Sequence, residues 1–180
     1  MTLRLPEWLE TPRLRLRRPT AADALAVFER YASDPEVTRF LGWARHLERS
    51  DTDAFVTWSD LTWATHGAGP YLAFEPGGRL VGGTGLDVET PWRASTGYVL
   101  ARDAWGRGYA TELAHAMAEL ALGRAGLDRV AALCHASHAA SARVLEKAGF
   151  VREGLLRRHG LFPNLDPPGP HDVLLYARVR

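Results

Sequence analysis

The stretch WGRGYA, residues 105–110, decides the fold because it places two glycines where a helix begins. The helix is the apolar-periodic run that follows, from about residue 108 to residue 125. Glycine is the least favourable residue in a helix interior after proline, so its backbone freedom must serve a purpose here. Two glycines let the N–H groups at a helix start approach an anion closely. The stretch therefore predicts either a pyrophosphate-binding loop, to which Arg107 adds charge, or a plain turn before a helix.

Two common nucleotide-binding motifs do not match this loop. No Gly-Lys-Ser/Thr follows, so it is not the phosphate loop of nucleotide hydrolases. Thr111 stands where a dinucleotide-binding fingerprint has its third glycine or alanine. A nucleotide- or dinucleotide-binding enzyme is therefore a minor alternative.

Composition limits the class of protein. The chain has 180 residues and a net charge of +1, which predicts a single domain over residues 1–180 and no nucleic-acid partner. No apolar run has membrane-spanning length, and the first twenty residues carry charges throughout, so we expect no membrane segment and no signal peptide. The single cysteine, Cys134, excludes an internal disulfide and is expected in the core. A cytoplasmic protein is the expectation.

Strand-like and helix-like patterns interleave along the chain, which predicts a mixed α/β fold. Phe55, Trp58 and Trp63 form an aromatic stripe expected to be core. Strands are expected at 13–19, 71–74, 79–88, 95–100, 128–136, 150–158 and 171–179, helices at 20–33, 34–41, 50–67, 108–125 and 139–149, and loops at 89–94 and 159–170.

A second motif follows downstream. The stretch HAASARVLEKAGF, residues 138–150, places a short helix between two strands. Together with WGRGYA it resembles the GNAT superfamily of acyl-CoA-dependent N-acetyltransferases, and the resemblance extends over roughly Leu9 to Val179. The segments 11–41 and 96–112 are similar to the branch that acetylates ribosomal-protein N-termini. Two positions depart from the family motifs: Trp105 replaces an Arg or Gln, and His138 replaces an Asn.

The resemblance implies a central, mostly antiparallel sheet that splays apart, with acetyl-CoA as the acetyl donor. The strand containing Gly97 and Tyr98 would separate from its neighbour at a bulge and pair with the pantetheine arm. The backbone N–H near Tyr98 or Val99 would stabilise the oxyanion. The implied cofactor-binding residues are Tyr98, Val99, Leu100, Trp105, Gly106, Arg107, Gly108, Tyr109, Ala110, His138 and Ser141.

For catalysis, the resemblance implies direct transfer of the acetyl group to an amine. Ser141 occupies the motif position that faces the cofactor sulfur, and a serine there is a proposed general acid in this branch. Many relatives have a glutamate base where this chain has Ser95. Asp87 or Glu89 can act as a base through water, or can equally be a solvated charge; Asp87 is the candidate we retain.

The acceptor is an amine, either a peptide N-terminus or a small molecule. Trp43 and Ser95 are the candidate substrate-contacting residues. The region of Trp43 walls the acceptor site in relatives, with core packing as an equal alternative for this residue, and Ser95 stands at the position of the family's glutamate base. The spacing of His135 and His138 suits a zinc site only with a third ligand, so no metal is expected. A homodimer is plausible for this family. The alternative function is a catalytically weak, CoA-binding sensor or interaction module.

Overall fold

A computed structural model describes residues 4–180 and contains an eight-stranded sheet. The order across the sheet is β1-β2-β3-β4-β5-β6-β8-β7, and every neighbouring pair is antiparallel except β5 and β6. This confirms the predicted mixed fold with a mostly antiparallel sheet. The strands are β1 (Trp8–Glu10), β2 (Arg15–Arg17), β3 (Pro70–Phe74), β4 (Leu80–Thr90), β5 (Arg93–Leu100), β6 (Arg129–His135), β7 (Val151–Phe162) and β8 (Gly169–Val179).

Five α-helices flank the sheet in the described part of the chain, at the five places where the sequence predicts them. Irregular turns lengthen two of them: Ala21–Asp23 and Phe28–Ala32 around α1, and Leu120–Arg124 after α4. In residues 4–180, no helix is long and apolar enough to cross a membrane. The helices are α1 (Ala24–Val27), α2 (Pro35–Thr38), α3 (Arg49–His66), α4 (Tyr109–Glu119) and α5 (Ala139–Lys147).

The two faces of the sheet are covered differently. Leu113 of α4 and Leu145 of α5 are buried on one face, in the larger core cluster. Val27 and Tyr31, from α1 and the turn after it, are buried on the opposite face, where Val99 packs against them. Successive residues of a strand point to opposite faces. Membership of one cluster or the other therefore assigns each strand residue of the site to a face of the sheet.

The sequence underestimates the extent of strand structure. It misses β1, a three-residue edge strand that is too short to show a period, and it extends β2 beyond Arg15–Arg17. The predicted loop 89–94 shrinks to a turn at residues 91–92, and half of the predicted loop 159–170 belongs to β7 and β8. Cross-strand pairing such as Gly160 with His171 continues the ladder where the local composition is turn-like.

The aromatic stripe of α3 is only partly buried. Trp63 is 5% exposed and packs edge-on against the Tyr71 ring at 5.1 Å, as expected of a core residue. Trp58 is 55% exposed, so its predicted core position is wrong. The helix turns Trp58 away from the sheet because the buried stripe runs instead through Thr52, Val56, Ser59 and Trp63.

Candidate active site

A gap between β5 and β6 forms the centre of the candidate site. The two parallel strands pair at Arg93, Ala94 and Ser95, and in the described chain this pairing goes no further, although β5 continues to Leu100. On its other edge β6 pairs with β8 along its whole length, Arg129–His135. The predicted separation of the strands is therefore present. The predicted bulge at Gly97 and Tyr98 is wrong, since the β4–β5 register is continuous there.

Backbone N–H groups of β5 point into this gap. Ala101 donates its N–H to the carbonyl of Val81, 2.9 Å away, across the β4–β5 pair. Hydrogen-bonded pairs recur at every second residue of an antiparallel ladder, so Val99 is directed at Gly83 of β4. The N–H of Tyr98 consequently points the other way, into the gap. Of the two predicted oxyanion donors, this alternation leaves Tyr98 as the available one.

The glycine loop, residues 105–110, lies between β5 and α4. Gly106 and Gly108 have φ angles of 73° and 80°, in the left-handed region where residues with a Cβ are strained. The N–H groups of residues 106–111 form no hydrogen bond with any residue from 4 to 180. Nothing lies within 4 Å of the position that a Cβ on Gly106 would take. Such a set of unpaired donors at a helix start suits the pyrophosphate of a CoA molecule.

The side chains of the loop have partners within the protein. Arg107 forms an ion pair with Glu75, at 2.7 Å between Nη1 and Oε1, and lies over the Tyr109 ring. Glu75 also accepts a hydrogen bond from the Tyr109 hydroxyl. Trp105 donates its indole N–H to the Leu100 carbonyl, at 2.9 Å. Since Glu75 offsets the charge of Arg107, the backbone N–H groups provide most of the attraction for an anion, with Ala110 in the first turn of α4.

Ser141 lies on the α4–α5 side of the gap. Its Oγ is 2.8 Å from the Tyr98 hydroxyl, which also lies 3.2 Å from the Ser141 carbonyl and can donate to it. The thiol of Cys134, a buried core residue as predicted, lies near Ser141. Burial raises the pKa of Tyr98 and of Cys134, so both are protonated at neutral pH. Ser141 is thus held by the Tyr98 hydroxyl at the partly buried side of the gap.

His138 caps the helix that carries Ser141. Its Nδ1 accepts the N–H of Ser141 at 3.4 Å, which is the bond that an asparagine side chain at this position can also accept. Burial lowers the pKa of His138, with a further contribution from His135. The neutral ring therefore preserves the cap at neutral pH. The histidine supports the local fold of α5, whereas pantetheine contact remains a prediction.

Asp87 and Ser95 lie on the face opposite to Ser141. They are direct partners across the β4–β5 ladder, so their side chains are neighbours on one face. That face also carries Val99, which packs against the α1 side, whereas Tyr98 packs against the α4 side. Asp87 is exposed and Ser95 half-buried. The sheet therefore separates the candidate acid from the candidate base, with the gap between them.

The connection between α2 and α3 is tied to the β7–β8 turn by Asn164, the only asparagine of the chain. Its amide donates to the carbonyls of Thr38 and Trp43, and its Oδ1 accepts the N–H of Arg45, each at 2.8 Å. Trp43 itself is 36% exposed, with its ring 5.1 Å from that of His46. Sequence reasoning missed Asn164, because its partners are more than a hundred residues away.

His135 and His138 lie close together, with Phe40 stacked near both rings. In the part of the chain that the structure describes, no three His, Cys, Asp or Glu side chains form a group that could hold a metal ion. The pair instead belongs to an aromatic cluster whose other members come from β7 and β8. No feature of the sequence predicts that these segments contact one another.

Comparison with known proteins identifies the family. The family model described as Acetyltransferase (GNAT) domain matches residues 13–151. The chain belongs to the GNAT acetyltransferase family. It is 30% identical over 175 residues to the uncharacterized N-acetyltransferase YoaA of Bacillus subtilis (strain 168), covering 96% of each. The chain is therefore an acetyltransferase with acetyl-CoA as its donor, and the predicted family, activity and cofactor are confirmed.

Solved structures agree with this fold. An acetyltransferase of the GNAT family from Bacillus anthracis superimposes with a TM-score of 0.81 at 26% identity, over 96% of this chain and 98% of that one. RimL, a ribosomal L7/L12 α-N-protein acetyltransferase in complex with coenzyme A, gives a TM-score of 0.82 at 21% identity, over 97% of each chain. At that identity the likeness to RimL shows the fold alone. In that structure CoA is joined to a cysteine of RimL by a disulfide.

Proposed function

We propose that this chain transfers the acetyl group of acetyl-CoA directly to a primary amine, without a covalent enzyme intermediate. The observation that carries the proposal is the gap between β5 and β6, with the Tyr98 N–H directed into it and Ser141 on one side. Acetyl-CoA supplies the activated acetyl thioester. The protein supplies position, an oxyanion donor and routes for protons.

The glycine loop would hold the pyrophosphate, and the unpaired edge of β5 from Tyr98 to Leu100 would pair with the pantetheine arm. The residues present fit this group, because unpaired N–H groups occur in both places. The predicted contacts of the other loop residues and of His138 belong to this same proposal. One domain over residues 1–180 would contain the whole site.

Proton transfer would use both faces of the sheet. The Tyr98 N–H would donate to the oxygen that becomes negative as the amine attacks the thioester. Ser141 would pass its proton to the leaving sulfur on the α4–α5 side and would regain one from solvent once the thiol has left. The amine would approach from the other face, past Ser95 and Trp43, and would lose its proton to water and then to the exposed Asp87. Acid and base thus act from opposite sides of one gap.

Titration calorimetry with acetyl-CoA tests binding, and thiol release during incubation with an amine panel tests turnover. The panel spans N-terminal peptides and small amines. We expect acetyl-CoA binding without amine and thiol release only with amine. Absence of acetyl-CoA binding would contradict the proposal, and binding without turnover of any amine would leave a CoA-binding module.

A thiol probe tests where the CoA sulfur lies. In RimL a cysteine is within bonding reach of the CoA sulfur, and in this chain Cys134 lies against Ser141. CoA disulfide should therefore convert the Cys134 thiolate into a mixed disulfide and release one CoA thiol. We expect the adduct by intact mass in the wild type, faster at higher pH, and none in Cys134→Ser. An unmodified wild type would place the CoA sulfur elsewhere.

A further inference from the structure

Five rings from separate segments form the histidine cluster: Phe40 before α3, His135 at the end of β6, His138 at the start of α5, Phe162 at the end of β7 and His171 in β8. The ring centroids of His135 lie 4.9 Å from Phe40, 4.9 Å from Phe162 and 5.2 Å from His171. Phe40 is 4.6 Å from His138. His135 is therefore at the centre of the cluster.

The hydrogen bonds of His135 define where its proton lies. Its Nδ1 accepts the backbone N–H of Ser137 at 3.2 Å and is 2.8 Å from the Ser137 hydroxyl. Burial, and after it the charge of His171, lowers the pKa of His135, while Asp172 opposes this and Arg39 adds to it. The ring is consequently neutral at physiological pH. Since Nδ1 accepts a hydrogen bond, the single proton is on Nε2.

The Nε2–H group of His135 lacks an acceptor. This atom is buried and has no hydrogen-bond partner among residues 4–180. The surrounding ring faces accept hydrogen bonds only weakly. Leaving a buried donor unpaired destabilises the protein. Because the atom is buried, a ligand oxygen reaches it only when a neighbouring ring turns aside, and the new hydrogen bond then removes that penalty.

His135 points to the face from which the amine is proposed to approach. Ala131 pairs with Ser95 across the parallel strands, so the two side chains share a face. Alternation along β6 puts Leu133 and His135 on that same face, while Val130, Ala132 and Cys134 point into the core beneath α4. Counted from the Ser95–Ala131 pair, Val99 and His135 are each four residues further along, so they lie on the two sides of the opened gap at the same distance along their strands.

The charge around the cluster favours an anion. The Arg39 guanidinium lies 5.2 Å from the Phe40 ring centroid, is exposed, and forms no ion pair within residues 4–180. The acidic group whose charge raises the pKa of His135 is Asp172. Its Oδ1 accepts a hydrogen bond from the backbone N–H of Arg158. Arg39 therefore provides a positive charge beside a neutral N–H donor.

We propose that the histidine cluster is a subsite for an oxygen anion, a carboxylate or phosphate, that the acceptor carries a few bonds from its amine. His135 donates its Nε2–H to this anion and Arg39 supplies the opposite charge. The inference rests on the proposed acetyl transfer to an amine and defines the acceptor class. The acceptors are then small amines with an anionic group, rather than protein N-termini, in which the neighbouring group is a neutral amide.

Histidine side-chain NMR of the CoA-saturated protein tests the subsite without turnover. The probes form two matched pairs: glycine with glycinamide for the carboxylate, and O-phosphoethanolamine with ethanolamine for the phosphate. We expect an anionic probe to shift the Nε2 resonance of His135, and its neutral-group partner to leave it in place. Comparing the two pairs tells which anion is preferred. Loss of one resonance in His135→Phe assigns it, and His66→Phe, at the exposed end of α3, is the control.

Kinetics provide the second readout. We expect kcat/KM to favour the anionic member of a pair by at least about tenfold, since a hydrogen bond to a charged group is stronger than one to a neutral group. His135→Phe and Arg39→Gln should each remove most of that preference and change kcat/KM for the neutral member by less than about threefold. A histidine shift without acetylation of any amine would support the subsite and contradict the proposed reaction. Acetylation without a shift, or an equal shift with a peptide amide, would overturn the subsite.

Discussion

The glycine loop and the histidine cluster lie at the same gap but are built from different parts of the chain. The loop would bind with backbone N–H groups of consecutive residues, and its Arg107 is already paired with Glu75. The cluster would bind with side chains from separate segments, centred on one unpaired N–H of His135. A backbone site suits a constant group such as a pyrophosphate, because nearly any side chain can surround it. A side-chain site can change its ligand with a single substitution.

The largest expected effect is at the backbone site. Gly106→Asp adds a carboxylate among the N–H groups of the loop, at a φ of 73° with open space around the Cβ. We expect the affinity for acetyl-CoA to fall by at least about 100-fold, or roughly 2.7 kcal/mol, from anion repulsion and backbone strain. Titration calorimetry measures it. The matched control is Gly126→Asp, at a φ of 69° and equally open, which should bind acetyl-CoA as the wild type does. If both variants lost the same affinity for acetyl-CoA, backbone strain and not anion repulsion would explain the loss.

Removal of the proposed acid should lower turnover and leave binding intact. Ser141→Ala should lower kcat by roughly 100-fold, within the usual range for acid–base catalysis, and change the acetyl-CoA affinity little. Tyr98→Phe removes the hydroxyl at 2.8 Å that positions Ser141, and should lower kcat less. In the Ser141→Ala background, Tyr98→Phe should have no further effect. An additive loss in the double variant would show that Tyr98 acts independently of Ser141.

The two regions also differ in what the sequence can predict. The loop and its helix could be predicted, because two glycines in the left-handed region and an apolar helical period are local features. The placement of Ser141 likewise follows from a contiguous motif. The site's two-sided arrangement could not be predicted, since it depends on the β5–β6 pairing ending at Ser95 while β6 remains paired with β8 on its other edge.

The acceptor side depends on contacts far apart in sequence. Phe40 meets His135, and Asn164 holds residues 38–45, across separations of about a hundred residues. No periodicity or spacing connects such positions. The same holds for the continuation of β7 to Phe162, where pairing with β8 overrides a turn-like composition. Local motifs can be recognised in a single sequence. Contacts between residues that are distant in sequence can be identified only once the fold is known.

A smaller effect is expected at His138, which belongs to the histidine cluster and caps the helix that carries Ser141. His138→Ala should lower the free energy of unfolding by about 1 kcal/mol, because Ser141 loses its capping acceptor. His138→Asn keeps an acceptor and should be close to wild type at neutral pH. Urea unfolding measures both variants.

The pH dependence of the free energy of unfolding tests whether the His138 ring acts as a neutral cap. The folded pKa of His138 is below the ordinary value of 6.5, so the unfolded chain binds more protons as pH falls. The stability that the neutral ring contributes is complete above 6.5 and is lost as pH falls through the lower folded pKa. His138→Asn should therefore lose less stability than the wild type below 6.5. Parallel pH profiles would contradict the buried neutral histidine.

The smallest effect is expected on the amine side of the gap. Asp87 is exposed, so water can replace much of what its carboxylate does, and Asp87→Asn should lower kcat by only about threefold. Glu89→Gln is the control, because Glu89 is a carboxylate two residues further along β4 and is paired with Arg93 at 2.9 Å. Steady-state kinetics with one amine suffices. A loss of 100-fold would make Asp87 a direct base, and no loss would leave the proton to water alone. Set beside the Ser141→Ala result, the loss in Asp87→Asn shows how far the acid side and the solvated base side of the gap differ in their contribution to kcat.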